Sequence, residues 1–152
     1  PKIPLWDTNI DAQMMWLTKN PEEYGVIVAE NMFGDIISDG FAGLIGGLGF
    51  ACSANLGDEY AVFEPTHGSA PKYENLNPSI VNPIAMFMST CMMLDHIGEQ
   101  DKVAKIRNAI AKVVEEGKVR TYDMLKLKGG ADVFRHGAVS TQQLTDAVMS
   151  KL

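Results

Sequence analysis

The sequence is short of the features that mark several large classes of protein. Cysteine occurs twice, at Cys52 and Cys91. The two have neither the spacing of a zinc site nor the density of a secreted disulfide scaffold, so a reducing cytoplasm is the expected compartment. Basic residues are few, with 13 Lys+Arg against 19 Asp+Glu and a formal net charge of −6. No Lys/Arg-rich run is present, which argues against a nucleic-acid surface. The longest apolar stretch, residues 84–94, is broken by Ser89 and Thr90 and is too short for a membrane span. No signal or transit segment opens the chain, and neither does an initiator Met: Pro1 stands first, as expected of a trimmed start or a fragment. What remains is ordinary globular usage, 46% hydrophobic and 21% charged over 152 residues. That suits one domain with a real core, or a piece of a larger one.

Charge is distributed unevenly. Residues 1–71 carry ten acids and only two bases, Lys2 and Lys19, whereas residues 72–152 carry nine acids and eleven bases. The first part suits cations and the second suits anions, although chains without ligands fluctuate in the same way.

Apolar spacing predicts a helix over 8–18, with Asp7 as its N-cap and Ile10, Met14 and Leu17 on one face. The run Y-G-V-I-V-A at 24–29 reads as a short buried strand of the parallel kind. A second helix is expected over 35–44, ended by Gly46, Gly47 and Gly49, and another strand over 60–63. Residues 66–78 read as a loop. Asn82-Pro83 supplies an N-cap and first-turn pair for a helix over 84–97, which is apolar nearly all round and therefore central. A charged amphipathic helix over 101–116 turns Val103, Ile106, Ile110 and Val113 inward. Ser140 and Gln143 have capping-box spacing at the start of a last helix. Strand and helix alternate without an internal repeat or a Pro/Gly/Ser-rich linker, so the fold class is α/β.

Three constellations could carry chemistry. Asp35 and Asp39 lie four apart on a predicted helix, so their carboxylates project on one face and could share a hard divalent cation, with Asp11 adding a third oxygen. Aspartates in a first helical turn are also favoured by the helix dipole without any ligand. The glycine cluster at 46–49 follows a helix, which is not the strand-to-helix dinucleotide fingerprint, so a Rossmann fold is not indicated. The stretch H-G-S-A-P-K-Y at 67–73 sets a bare Gly68 among an imidazole, a cation and a phenol. Such a loop can hold an adenosine phosphate or be a plain surface turn.

Read together, N-M-F-G-D-I-I-S-D-G-F-A-G-L-I-G-G-L-G-F at 31–50, F-E-P-T-H-G-S-A-P-K-Y at 63–73 and V-N-P at 81–83 resemble the metal-dependent β-decarboxylating dehydrogenases, the isocitrate/isopropylmalate dehydrogenase family. The resemblance covers almost the whole chain but only the C-terminal portion of the family's length. It implies that family's own α/β fold, with metal-site and dimer-packing helices over about 8–45 and a cofactor loop plus C-terminal helices over about 60–152. Asp35 and Asp39 match metal-site aspartates of one subunit, and Asp11 matches the one that reaches into the partner's site, so a homodimer with a shared active site is implied. The metal would be Mg²⁺ or Mn²⁺.

Glu64, His67, Gly68, Ala70 and Asn82 match positions around the adenosine part of the cofactor. Lys72, Tyr73, Tyr122 and Lys126 match or approximate contacts to a 2′-phosphate, which favours NADP over NAD. Lys126 stands where bacterial NADP enzymes place Arg, keeping the charge but losing the bidentate fork. Pro65 after Glu64 is instead shared with isopropylmalate and homoisocitrate dehydrogenases. The implied substrate is a small 2-hydroxy acid, isocitrate first and 3-isopropylmalate or homoisocitrate next. The family's substrate-gripping Ser and Arg and its catalytic Tyr and Lys have no match here, so this stretch alone is expected to be inactive. A non-catalytic regulatory subunit of the same fold is the reading from another class, and retention of Asp11, Asp35, Asp39 and His67 counts against it.

Overall fold

The structure, a computed structural model, describes residues 3–152, so that Pro1 and Lys2 lie outside it. The described chain falls into two compact units, one running to Ile45 and the other Gly46–Leu152.

The first unit is a helix pair. Helix α1 spans Ile10–Lys19 and α2 spans Asn31–Leu44, with a one-turn 3₁₀ helix at Pro21–Glu23 between them. They meet where Gly40 of α2 lies against α1: a Cβ there would come within 2.7 Å of the Met14 Cε and 3.0 Å of a Leu17 methyl. Leu17, Ile37 and Ala42 are buried around that approach, and Tyr24 packs edge-on to Phe41 with ring centroids 6.4 Å apart.

Three expectations are corrected in this unit. Asn9, not Asp7, occupies the N-cap of α1. Helix α2 starts a full turn earlier than residue 35, because Gly34 is helical instead of marking a boundary. Residues 24–29 form no strand, and Val26 and Val28 are 89% and 92% exposed. A strand exists only through hydrogen bonds to a neighbour, and among the described residues no segment pairs with this run.

The second unit mixes helix and sheet. Strands β1 (Cys52–Leu56) and β2 (Ala61–Pro65) form an antiparallel hairpin in register Cys52↔Pro65 to Leu56↔Ala61. It is the only sheet among the described residues, so the parallel pairing expected from the sequence is absent there. Helix α3 (Ile84–His96) packs on both strands and on α4 (Gln100–Glu116), which carries α5 (Thr141–Met149) on another side.

The core gathers Ile84, Ala109, Ile110, Val113, Leu144 and Val148 from these three helices, with Ile106 packed beside them. The inward face read for α4 and the central place of α3 both hold. No helix among the described residues is long and apolar enough to cross a membrane. A second cluster of Ile80, Val133 and Ala138 backs Tyr73, Tyr122 and Leu125, and that cluster positions the site.

Candidate functional site

A cleft of about 410 Å³ opens in the second unit, where four chain segments converge. The first is the glycine stretch. Gly46 and Gly47 have φ of +118° and +110°, which L side chains rarely adopt, and Gly49 leads backbone close to Asn82 and Asp123. The second is the 67–70 loop, which ends in Ala70 at φ 44°, ψ 59°, a left-handed conformation that costs a non-glycine residue about 1 kcal/mol. The third is Val81 and Asn82 at the entry to α3, and the fourth is Tyr122 and Asp123.

The N-cap of α3 is Pro83, not Asn82 as expected, and Asn82 stands one residue before it. Its Oδ1 accepts from the Ile84 N–H at 3.0 Å, while its Nδ2 donates to the Asp123 carboxylate at 2.9 Å. The other Asp123 oxygen accepts from the Thr121 hydroxyl.

The aromatic side of the cleft is a tyrosine pair. The Tyr73 and Tyr122 rings lie 5.7 Å apart at 66°, and the Lys72 ammonium stands 4.8 Å above the Tyr73 ring centre. The Tyr122 hydroxyl beside it, and then Lys72, hold the Tyr73 phenol below the usual tyrosine range. Burial, reinforced by Tyr73, pushes Tyr122 well above that range. The cleft is therefore flanked by two phenols, with a cation held against the Tyr73 ring just outside its lining.

Of the residues expected to hold a cofactor, the structure brings His67, Gly68, Ala70, Tyr73, Asn82 and Tyr122 into this one cleft. Lys72 is exposed and does not line the cleft, although its ammonium stands over the Tyr73 ring. Glu64 does not line the cleft: it is exposed on β2, and its carboxylate accepts from Asn55 across the hairpin at 3.4 Å. Lys126 is exposed in the turn after Asp123, at φ 55°, and is also outside the lining. The glycine stretch and Asp123 are not among the cofactor residues expected from the sequence, while Ser69 and Val81 lie within the matched strings without an assigned role. The repeated glycines and the Thr-x-Asp spacing of Thr121 and Asp123 were the available signals.

The proposed metal carboxylates lie in the first unit. Asp35 and Asp39 are both exposed and one turn apart on α2. Because α2 starts at Asn31, neither belongs to its first turn, and the dipole explanation for them loses force. Asp11 is exposed and accepts from the Ala12 N–H at 2.8 Å. No three His, Cys, Asp or Glu side chains among the described residues stand close enough to share an ion, so Asp11 is not gathered with Asp35 and Asp39. Both cysteines are free, and burial raises each thiol above its ordinary range.

The family described as isocitrate/isopropylmalate dehydrogenase matches residues 1–148. The chain belongs to the isocitrate/isopropylmalate dehydrogenase family. A 3-isopropylmalate dehydrogenase from Archaeoglobus fulgidus is 48% identical over 78% of this chain and 36% of its own length. An isocitrate dehydrogenase [NADP] from Thermus thermophilus is 44% identical over 94% of this chain and 27% of its own. Among solved structures, isocitrate dehydrogenase from Methylococcus capsulatus superimposes with a TM-score of 0.83 at 40% identity, covering 93% of this chain and 39% of that one. The chain thus spans well under half of each relative. The family is one of β-decarboxylating dehydrogenases that depend on a metal and use NAD or NADP, and its members here carry different substrate names.

Proposed function

We propose that this chain forms the nucleotide-holding and metal-carboxylate part of an NADP-dependent isocitrate dehydrogenase, an enzyme that oxidises a 2-hydroxy tricarboxylic acid to a 2-oxo acid with loss of CO₂. The observation that carries the reading is the convergence of His67, Gly68, Ala70, Tyr73, Asn82 and Tyr122 in one cleft, with Lys72 against the Tyr73 ring.

The cleft fits the adenosine end of a dinucleotide. Glycines 46, 47, 49 and 68 keep its backbone bare, the tyrosines offer flat apolar surface, and Lys72 supplies positive charge for a phosphate. When bound, NADP supplies the hydride acceptor. The residues of this chain hold and orient it, and Lys72 with Tyr73 and Tyr122 discriminates for the 2′-phosphate by charge and hydrogen bonding.

Asp35 and Asp39 fit a hard cation as a pair of oxygen donors. Asp11 would complete the set from a second copy of the chain, which makes the working form a homodimer. A Mg²⁺ or Mn²⁺ ion there would contribute Lewis-acid chemistry at the 2-hydroxyl and its neighbouring carboxylate. One chain alone closes no three-carboxylate site among its described residues.

Pro65 and the 48% identity to a relative named as a 3-isopropylmalate dehydrogenase support a second reading, with 3-isopropylmalate or homoisocitrate as the acid. Turnover of the three acids by the intact protein separates the readings. For the cofactor, kcat/KM is compared with NADP and NAD. Lys72→Asp is expected to lower the NADP value by about tenfold or more, through repulsion of the phosphate, and to leave NAD nearly unchanged. A wild type that prefers NAD would overturn the cofactor assignment.

A further inference from the structure

We propose that Asp123 is a positioning residue of the cleft, one that locks the Asn82 side chain and thereby sets the shape of the surface on which a nucleotide rests; this rests on the nucleotide reading above. The carboxylate has a donor on each oxygen. Asn82 Nδ2 donates to one at 2.9 Å and the Thr121 hydroxyl donates to the other. Both donors are buried, Asn82 at 7% exposure and Thr121 at 0%.

Asn82 is held at its other end as well, because Oδ1 accepts from the Ile84 N–H. Its amide therefore has one orientation, with the oxygen toward the start of α3 and the nitrogen toward Asp123. The 48–50 turn closes on the same point: a Cβ at Gly49 would lie 2.7 Å from the Asp123 oxygen and 3.3 Å from the Asn82 Cβ. Two walls of the cleft, separated in the chain, are thus tied through one carboxylate, and the 48–50 turn lies close against them. Asn82 and Asp123 line the cleft and Thr121 does not. Removing Asp123 would leave two buried donors without partners and free the Asn82 amide to turn.

Asparagine at 123 can keep both bonds. Its oxygen accepts from Asn82 and its NH₂ donates to a Thr121 hydroxyl that has rotated to accept. The role is geometric, so the amide serves where alanine fails.

The test titrates NADPH fluorescence against the full chain and measures nucleotide KM and kcat in the intact protein, with thermal melts alongside. Asp123→Ala is expected to raise the NADPH Kd and the nucleotide KM by about tenfold with kcat unchanged, and Asp123→Asn to stay within about twofold of wild type. If Asp123→Ala does not fold, Thr121→Val, which removes one of the two donors at a buried site outside the cleft, carries the test with an expected rise of about threefold. Unchanged nucleotide affinity in the folded variants, or a melting-temperature loss with no change in KM, would overturn the positioning role while leaving the nucleotide reading intact. A wild type that binds neither NADPH nor NADH would overturn both.

Discussion

Gly129 shows how closely the tyrosine pair is seated. A Cβ at that position would collide with the Tyr73 hydroxyl and stand 2.6 Å from the ring carbon that bears it, so a side chain and the present ring position are incompatible. Tyr73 has little room to retreat, because it packs against the Ile80, Val133 and Ala138 cluster. Gly129→Ala should therefore displace the ring, costing about 1–3 kcal/mol of stability and weakening NADPH binding more than NADH binding. Thermal melts and paired titrations check it. At this scale the sequence was legible where a residue's chemistry lies in its own string, as for His67, Gly68, Tyr73 and Asn82. Gly129 and Asp123 were not legible, because each acts through a contact with a residue far away in the chain. The exposed Glu64 and Lys126 match motif positions, yet their side chains lie outside the cleft.

Among the elements, those with strong local signals formed as expected. Helix α5 carries a complete capping box: the Ser140 hydroxyl accepts from the Gln143 N–H at 3.2 Å, and the Gln143 side chain accepts from the Ser140 N–H at 2.9 Å. Ser140→Ala should cost about 1 kcal/mol, seen as a lower denaturant midpoint with an unchanged slope. Helix α4 likewise follows its periodic apolar face and stops at Gly117, φ 61°. Misread elements depended on partners. Strand β1, C-S-A-N-L, has weak intrinsic strand preference and exists because β2 pairs with it across a short turn. Residues 24–29 have the opposite character, with a strong β-branched pattern and no paired strand among the described residues. The early start of α2 reflects a glycine whose helix cost, about 1 kcal/mol, was outweighed by its surroundings.

For the molecule as a whole, the charge split between residues 71 and 72 does not coincide with the division at Ile45 and Gly46: the first unit carries seven acids and two bases, but the second carries twelve acids and eleven bases, with Asp11, Asp35 and Asp39 in the first and Lys72 and Lys126 in the second. If the first unit supplies the metal carboxylates, Asp35→Asn should abolish turnover in the intact protein. Asp35 is exposed, so stability should stay within about 0.5 kcal/mol of wild type. Activity measured with Mg²⁺ or Mn²⁺ and then with excess chelator checks the same point, and full activity in chelator contradicts it. In the first unit, the Gln13 amide nitrogen is buried without a hydrogen-bond partner among the described residues, a condition that costs about 1–3 kcal/mol.

The sequence by itself determined the family, the helix faces, the capping box at Ser140, and six of the thirteen residues that line the cleft, because each is written in a local string or a short spacing. Only the tertiary structure decided that the glycine stretch belongs to the cleft wall, that Asp123 and Gly129 hold its shape, and that residues 24–29 form no strand. Those outcomes depend on which groups meet across the chain. A hydrogen bond or a steric exclusion between distant segments has no periodicity to read.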